Sequence, residues 1–486
     1  MNSIQRSTFF FLALSVAACA VGNGDPVVVQ RAIDEGKNNS HVMKTLKGLT
    51  KIGPRLTSST YLDRAEKWCM DQFKSYGCQN VHLEKWGEYP VGFDRGKRQI
   101  GRMIEPFESE FEFTTPSWTQ GTRGLVRASA VLAPTTMEEF QKVKGSLKGA
   151  WLVVPTGSAT PRRGENPEPT ELEKAILASG MAGRIYGSRN ELVITSGRHM
   201  EKTYEKHPTD VRVIVRKSDI DRITRNIAKG PVTLEFDLEN KWVRGPRPQY
   251  NVVAEIPGTE KPDEVVIVSG HLDSWDGPGS QGALDNGTGT STALEAARIL
   301  MKVGAKPKRT IRFILWTGEE QGLFGSREYV KQHEAELPKI SAVLVDDGGT
   351  NYQGGYVGIA TQKDLFEAAF APVAAAFPEM PMKFEVRDRM PKGGGSDHAP
   401  FNQAGVPGFF TLETGRSDYN FVHHTQHDSI EYAIPEYLVQ SAVCHAVVAY
   451  NLACADTMVP RAPKEETPAP AATPPATPPA GGTTPP

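Results

Sequence analysis

From Asn251 onward, short apolar runs rich in β-branched residues alternate with segments of helical length and periodicity. Residues 264–269 (EVVIVS), 310–316 (TIRFILW), 341–345 (SAVLV) and 407–412 (PGFFTL) read as buried strands. Residues 289–303, 325–333 and 434–450 read as helices. This alternation predicts an α/β fold, with a mixed, mainly parallel sheet sandwiched by helices. No internal repeat interrupts it.

The rest of the chain divides around this region. Residues 28–120 are expected to form an N-terminal helical part of the same domain. Within it, 31–49 and 59–76 space their apolar residues by three and four, and Pro54 and Gly77 punctuate them. Near Gly121 the pattern changes. Residues 125–132 (LVRASAVL), 150–154 (AWLVV), 211–215 (VRVIV) and 232–238 (VTLEFDL) read as strands, with helices over 137–143 and 218–227. They imply a compact module over residues 121–240, followed by the α/β region over 245–458.

The two ends read differently. Arg6 precedes an apolar run over residues 9–20. That run is well short of the roughly 20 residues a membrane span needs, and it fits the apolar region of a secretory signal over residues 1–20. Val16-Ala17-Ala18-Cys19 resembles a bacterial lipobox with Cys19 lipidated, and Ala18-Cys19-Ala20 also fits a small-x-small cleavage site. Both readings imply an exported protein, either periplasmic, lipid-anchored or secreted. No later segment reads as spanning a membrane without charges. Residues 459–486 hold ten of the 36 prolines and are expected to form a disordered Pro/Ala/Thr-rich tail. Without Cys19, four cysteines remain (Cys69, Cys78, Cys444 and Cys454), and none has CxxC spacing. Lys and Arg total 55 against 57 Asp and Glu, a net charge of −2, which removes the basic footprint of a nucleic-acid binder.

In α/β sheets, ligands gather beyond the carboxyl ends of the strands. Here the first strand runs into Gly270-His271-Leu272-Asp273 and the second into Thr317-Gly318-Glu319-Glu320. The third runs into Asp346-Asp347-Gly348, the loop before the first helix holds Asp285, and the stretch after the fourth strand holds His423-His424. Alone, each piece has an ordinary structural reading: a hydrogen-bonded histidine, an acidic helix start or a turn. Converging on one sheet edge, the carboxylates would repel each other and raise each other's pKa values. A cation relieves that repulsion. Mixed imidazole and carboxylate ligands suit zinc, and five ligands with one bridging carboxylate suit two zinc ions about 3.5–4 Å apart. Gly393-Gly394-Gly395-Ser396-Asp397-His398 sets Ser, Asp and His side by side, but adjacent residues rarely form a triad. A flexible glycine loop near the cleft, with Asp397 and His398 in support, is the expectation there. His427 and His445 are not expected to be ligands.

The segments GHLDSWDGPGSQGALDNGTG, LWTGEEQGLFGS, VLVDDGGT and FVHHTQHDS together resemble the di-zinc aminopeptidase family (peptidase clan MH), and are most similar to its carboxypeptidase Q, or plasma glutamate carboxypeptidase, branch. The resemblance covers about residues 28–458. The inserted module is similar to a protease-associated domain. The resemblance implies that His271 and Asp347 hold one zinc, that Glu320 and His424 hold the other, and that Asp285 bridges them. Glu319 would be the general base, and Asp273 would orient the His271 imidazole through its carboxylate. Asp347 is preferred to Asp346 because it precedes Gly348-Gly349. His424 is preferred to His423 because it stands four residues before Asp428, as in the family's His-x-x-x-Asp spacing. His423 or Tyr419 would donate to the oxyanion, although other branches place a tyrosine where His423 stands.

The implied activity is that of an exported zinc exopeptidase, an aminopeptidase acting near the N-terminus of peptides or on dipeptides with a metal-bridging water. The alternative is a carboxypeptidase or dipeptidase of the carboxypeptidase Q type, with Arg416 or Lys392 receiving the substrate carboxylate. A third reading is an inactive binding protein on the same fold. The inserted module is expected to act as a lid, shaping substrate choice more than metal binding. Relatives in this branch are often homodimers.

Overall fold

The computed structural model describes residues 24–154, 169–197 and 202–462. The apolar run over 9–20, Cys19 and nearly all of the Pro-rich tail lie outside the described residues.

The central sheet has eight strands, in the order Gln79–Tyr89, Arg247–Ile256, Arg309–Trp316, Lys261–His271, Ile340–Val345, Gly408–Thr414, Tyr352–Gly358 and Lys383–Val386. The four strands read from the sequence are its middle, and they pair in parallel. The flanks differ from expectation: three of the remaining pairings are antiparallel, so the sheet is mixed rather than mainly parallel. The reason is exposure. Middle strands buried on both faces read as apolar runs, whereas flanking antiparallel strands can leave one face wet and lose that signature. Gln79–Tyr89 is such a strand, largely accessible along its length.

Helices cover both faces. On one side, Thr288–Val303 and Pro435–Cys454 pack with Pro26–Asn38, Val42–Thr50 and Thr60–Tyr76 over Val266, Val268, Phe313 and Leu344. On the other, Phe324–Gln332 and His398–Gln403 bring Tyr329 and Phe401 onto Ile267, Trp316 and Val345. The helix Thr60–Tyr76 begins where Ser59 Oγ accepts from the Leu62 N–H at 3.0 Å, and it stops at Gly77 in a left-handed conformation (φ 90°). The stretch expected as one helix over 31–49 is two, broken at Asn39–His41. Among the described residues, only Pro435–Cys454 is long and apolar enough to cross a membrane. It is apolar all round because it is buried all round, as the central packing helix.

A second eight-stranded sheet has its own core around Met103, Phe113, Trp151, Val213 and Phe236. Its strands Val126–Leu132, Trp151–Val154, Gly183–Gly187 and Arg212–Val215 pair in parallel. The sheet also takes in Gly92–Glu105 and Thr233–Val243 as an antiparallel pair. Gly92–Glu105, Ser109–Glu110 and Phe113–Thr114 are therefore strands, not part of a helical segment. Arg95, Lys97, Arg98 and Arg102 crowd that sequence and mask its alternation. Cys69, Cys78, Cys444 and Cys454 are all free thiols and buried.

Candidate metal centre

Five segments meet at the carboxyl edge of the central sheet. His271 ends its strand and is buried. Its Nδ1 lies 2.9 Å from the Asp273 carbonyl, while Nε2 lies 3.0 Å from Asp347 Oδ1 and 3.3 Å from Asp285 Oδ1. The carbonyl, not the carboxylate, of Asp273 orients the ring. The Asp273 carboxylate sits 3.8 Å from Nδ1 and accepts instead from Thr57 Oγ1 at 2.6 Å and from the Glu319 N–H at 3.3 Å.

Asp285 stands in the tight turn Ala283–Gly287, ahead of the helix Thr288–Val303. Asp428 Oδ1 accepts from the N–H groups of Leu284 and Asp285 at 2.6 and 3.3 Å and holds that turn. Gly289 is required at the helix start: a Cβ there would lie 2.1 Å from the Asp346 carbonyl oxygen. Asp346 itself faces inward, accepting from Thr292 Oγ1 at 2.9 Å and Gln353 Nε2 at 2.8 Å. Its neighbour Asp347 is the residue that faces His271.

The other half of the cluster centres on His424. Its Nε2 lies 2.9 Å from Glu320 Oε2 and 3.1 Å from Asp285 Oδ2. Glu320 Oε1 accepts from the Trp275 N–H at 3.1 Å. His423 stacks on His424 with ring centres 3.8 Å apart, and its Nε2 is 3.8 Å from Asp285 Oδ2. Tyr419 lies over His423 at 4.9 Å and packs against Gly349. Arg416 turns away from the centre, donating to Glu436 Oε1 at 2.7 Å above the Tyr437 ring.

The electrostatics are those of acids and imidazoles crowded together out of water. Burial pushes Asp285 up, but hydrogen bonds from His271 and His424 outweigh it and hold the carboxyl well below its ordinary value. Burial lowers His424, yet Glu320 and Asp285 drive it up to about 11. Burial, with Asp285 nearby, lifts Glu320 to about 7. Burial also pushes Glu319 well above the carboxylate range; His271 opposes this, and Asp347, Asp397 and Glu320 add to it. A neutral His271 that donates from Nδ1 turns its Nε2 lone pair toward two carboxylate oxygens. Three acceptors then face one another, an arrangement that a proton or a metal ion must resolve. The donor set of imidazoles and carboxylates fits zinc. Asp285 with His271 and Asp347, and Asp285 with His423 and His424, each bring three ligand atoms within 4.8 Å of one another.

Family membership is settled at this point by likeness to proteins already known. Residues 251–448 match the profile of Peptidase family M28. Carboxypeptidase Q of Xenopus laevis is 34% identical over 420 residues, spanning 84% of this chain and 85% of that protein. The chain belongs to peptidase family M28. As an M28 chain it is a metallo-exopeptidase. The crystal structure of a peptidase M28 precursor from Shewanella amazonensis is 25% identical and aligns with a TM-score of 0.63 over 90% of this chain and 99% of that one. The zinc aminopeptidase BSAP of Bacillus subtilis, 21% identical over 84% of this chain and 94% of that one, shares the fold at a TM-score of 0.53.

The structure also brings in residues that motif reading does not single out. Arg55 is fully buried beneath the centre. It donates to the carbonyls of Leu272 (2.6 Å), Gln281 (3.2 Å) and Gly282 (2.6 Å), tying together the segments that carry His271 and Asp285. Thr57 and the Trp275 amide act beside it. Their signal in the sequence is slight, because a loop arginine without periodicity looks like any surface cation. In the glycine loop, Ser326 Oγ donates to Asp397, while Ser396 Oγ and His398 Nδ1 have no partner, so no Ser-His-Asp relay forms.

Proposed function

We propose that this M28 chain is a two-zinc exopeptidase that cleaves near the N-terminus of peptides or splits dipeptides. The observation that carries this reading is the placing of Asp285. Its two carboxylate oxygens face two different imidazoles, His271 at 3.3 Å and His424 at 3.1 Å, each already paired with a carboxylate of its own. His271 and Asp347 would hold one ion, Glu320 and His424 the other, with Asp285 shared. Bound there, zinc supplies a water of lowered pKa and polarises the scissile carbonyl.

The remaining steps belong to the chain. Glu319, whose burial raises its affinity for a proton, would act as the carboxylate, taking a proton from the attacking water and returning it to the leaving amine. His423, stacked on His424, or Tyr419 beside it would supply a hydrogen bond to the developing oxyanion. Asp273 holds Glu319 by its backbone N–H and His271 by its own carbonyl, so base and ligand move as one piece. The second sheet is read as the protease-associated type of insertion. Metal analysis of the mature chain, with hydrolysis of free dipeptides, N-blocked peptides and C-amidated peptides, tests the reading. Cleavage of C-amidated but not N-blocked substrates supports the aminopeptidase form, and absence of zinc with absence of turnover rejects the whole scheme.

A carboxypeptidase or dipeptidase action is the second reading, and one observation favours it. Beside the strand end that leads to Asp347, a cleft of about 780 Å³ is lined by the cations Arg387, Arg389 and Lys392, with Asp388 and His398 among them. Its cations suit a substrate carboxylate. A rise in KM for free dipeptides, without one for amidated peptides, in Arg389→Ala would support it. Export, with or without a lipid at Cys19, and homodimerisation complete the proposal on the strength of the sequence. Cell fractionation and sedimentation of the mature chain test them.

A further inference from the structure

The unit built on the second sheet bonds directly to the loop bearing His424, in one half of the centre. Its segment 190–197 lies antiparallel to the loop bearing His424, with Ile194 paired to Thr425. The Thr195 N–H donates to the His424 carbonyl at 2.8 Å, and the Val193 N–H donates to Gln426 Oε1 at 2.7 Å. Gln426 Nε2 in turn donates to Glu112 Oε2 at 3.0 Å and to the Glu191 carbonyl at 3.1 Å. Val193, Thr195 and Thr425 are buried. The residue clamped in this way has φ +55°, in the left-handed region that a histidine rarely occupies. Such a conformation persists only where neighbouring contacts dictate it.

A second arm reaches Glu320. Arg95 and Asp276 form a buried ion pair at 3.1 Å, and Ser117 Oγ also donates to Asp276. Asp276 follows Trp275, whose N–H holds Glu320 Oε1. The Trp275 ring meets Trp118 of the second unit on one side and His424 on the other, each edge-on at 6.3 Å. His271 and Asp347 are held differently, through the Asp273 carbonyl, through Thr290 Oγ1 donating to the His271 carbonyl at 2.8 Å, and through the sheet itself.

We infer that the second-sheet unit is a positioning device for the Glu320–His424 half of the centre, setting the affinity of that half alone, with Gln426 and the Thr195 amide as its contacts. This departs from the expectation of a lid that shapes substrate choice more than metal binding. It rests on the two-zinc reading. The test uses the full chain carrying Gln426→Ala or, to delete the amide donor, Thr195→Pro. Zinc retention is followed by competition with a chelating dye, and the cobalt-substituted proteins are compared by absorption spectra. Glu235→Gln, which breaks two ion pairs internal to the second sheet, is the control. The expected result is at least a tenfold loss of affinity for one ion, wild-type retention of the other, and a cobalt spectrum changed for that one site. The control should match the wild type. Equal loss at both sites, or none in Gln426→Ala while the wild type binds two ions, overturns the inference alone. A wild-type chain that binds fewer than two ions removes the reading beneath it as well.

Discussion

Asp285 sits between two imidazoles, with Asp347, Glu319 and Glu320 close by, and the energetic problem of the site is the crowding of those acids out of water. Each acid then has a distinct role, and the roles separate under substitution. Glu319 touches neither imidazole by hydrogen bond, so Glu319→Gln should keep its zinc while losing roughly 10²–10⁴-fold in kcat. Metal content and turnover measured on the same sample check this. Arg55 should behave in the opposite way. Arg55→Ala abandons the carbonyls of Leu272, Gln281 and Gly282 in a buried setting. It should cost on the order of 3 kcal/mol in denaturant unfolding and loosen metal binding together with stability. Glu319 is plain in the sequence because it follows a strand in a dense acidic motif. Arg55 is not, because its role depends on which carbonyls the folded chain brings around it.

At the level of elements, the middle strands declare themselves by unbroken apolar runs, and the flanks do not. Lys383–Val386 and Gln79–Tyr89 each carry lysine or glutamate in step with their apolar residues. Their place in the sheet comes from their neighbours. The second sheet shows the same effect with a titratable consequence. Glu235 on Thr233–Val243 lies between Arg102 of Gly92–Glu105 and Arg127 of Val126–Leu132, at 2.6 and 2.7 Å. Burial raises its carboxyl, but hydrogen bonds from Arg127 and Arg102 outweigh that and hold it below the ordinary value. A lowered folded-state pKa stabilises above the unfolded pKa, and the contribution disappears as pH falls through the folded value. The stability gap between wild type and Glu235→Gln should therefore be present at pH 7 and shrink below about pH 4. Urea titrations across that range measure it, and a gap that widens in acid would contradict the assignment.

For the whole molecule, metal and fold should be linked. Ligands spread over five segments of the central domain are drawn together only in the folded state, so zinc at a thousandfold excess over its Kd should add about 4 kcal/mol of stability. Chelation should accordingly lower the melting temperature, and restored zinc should recover it, as calorimetry would show. The sequence by itself determined the α/β class, the parallel middle of the sheet and the residues crowding its edge, because strand periodicity and acid–imidazole clusters are local properties of the chain. Tertiary structure alone decided that the flanks of the sheet are antiparallel and that a carbonyl rather than a carboxylate steadies the His271 ring. It alone joined the second sheet to the loop of His424. Those outcomes depend on hydrogen bonds between segments 233 and even 314 residues apart, whose partners no local pattern specifies.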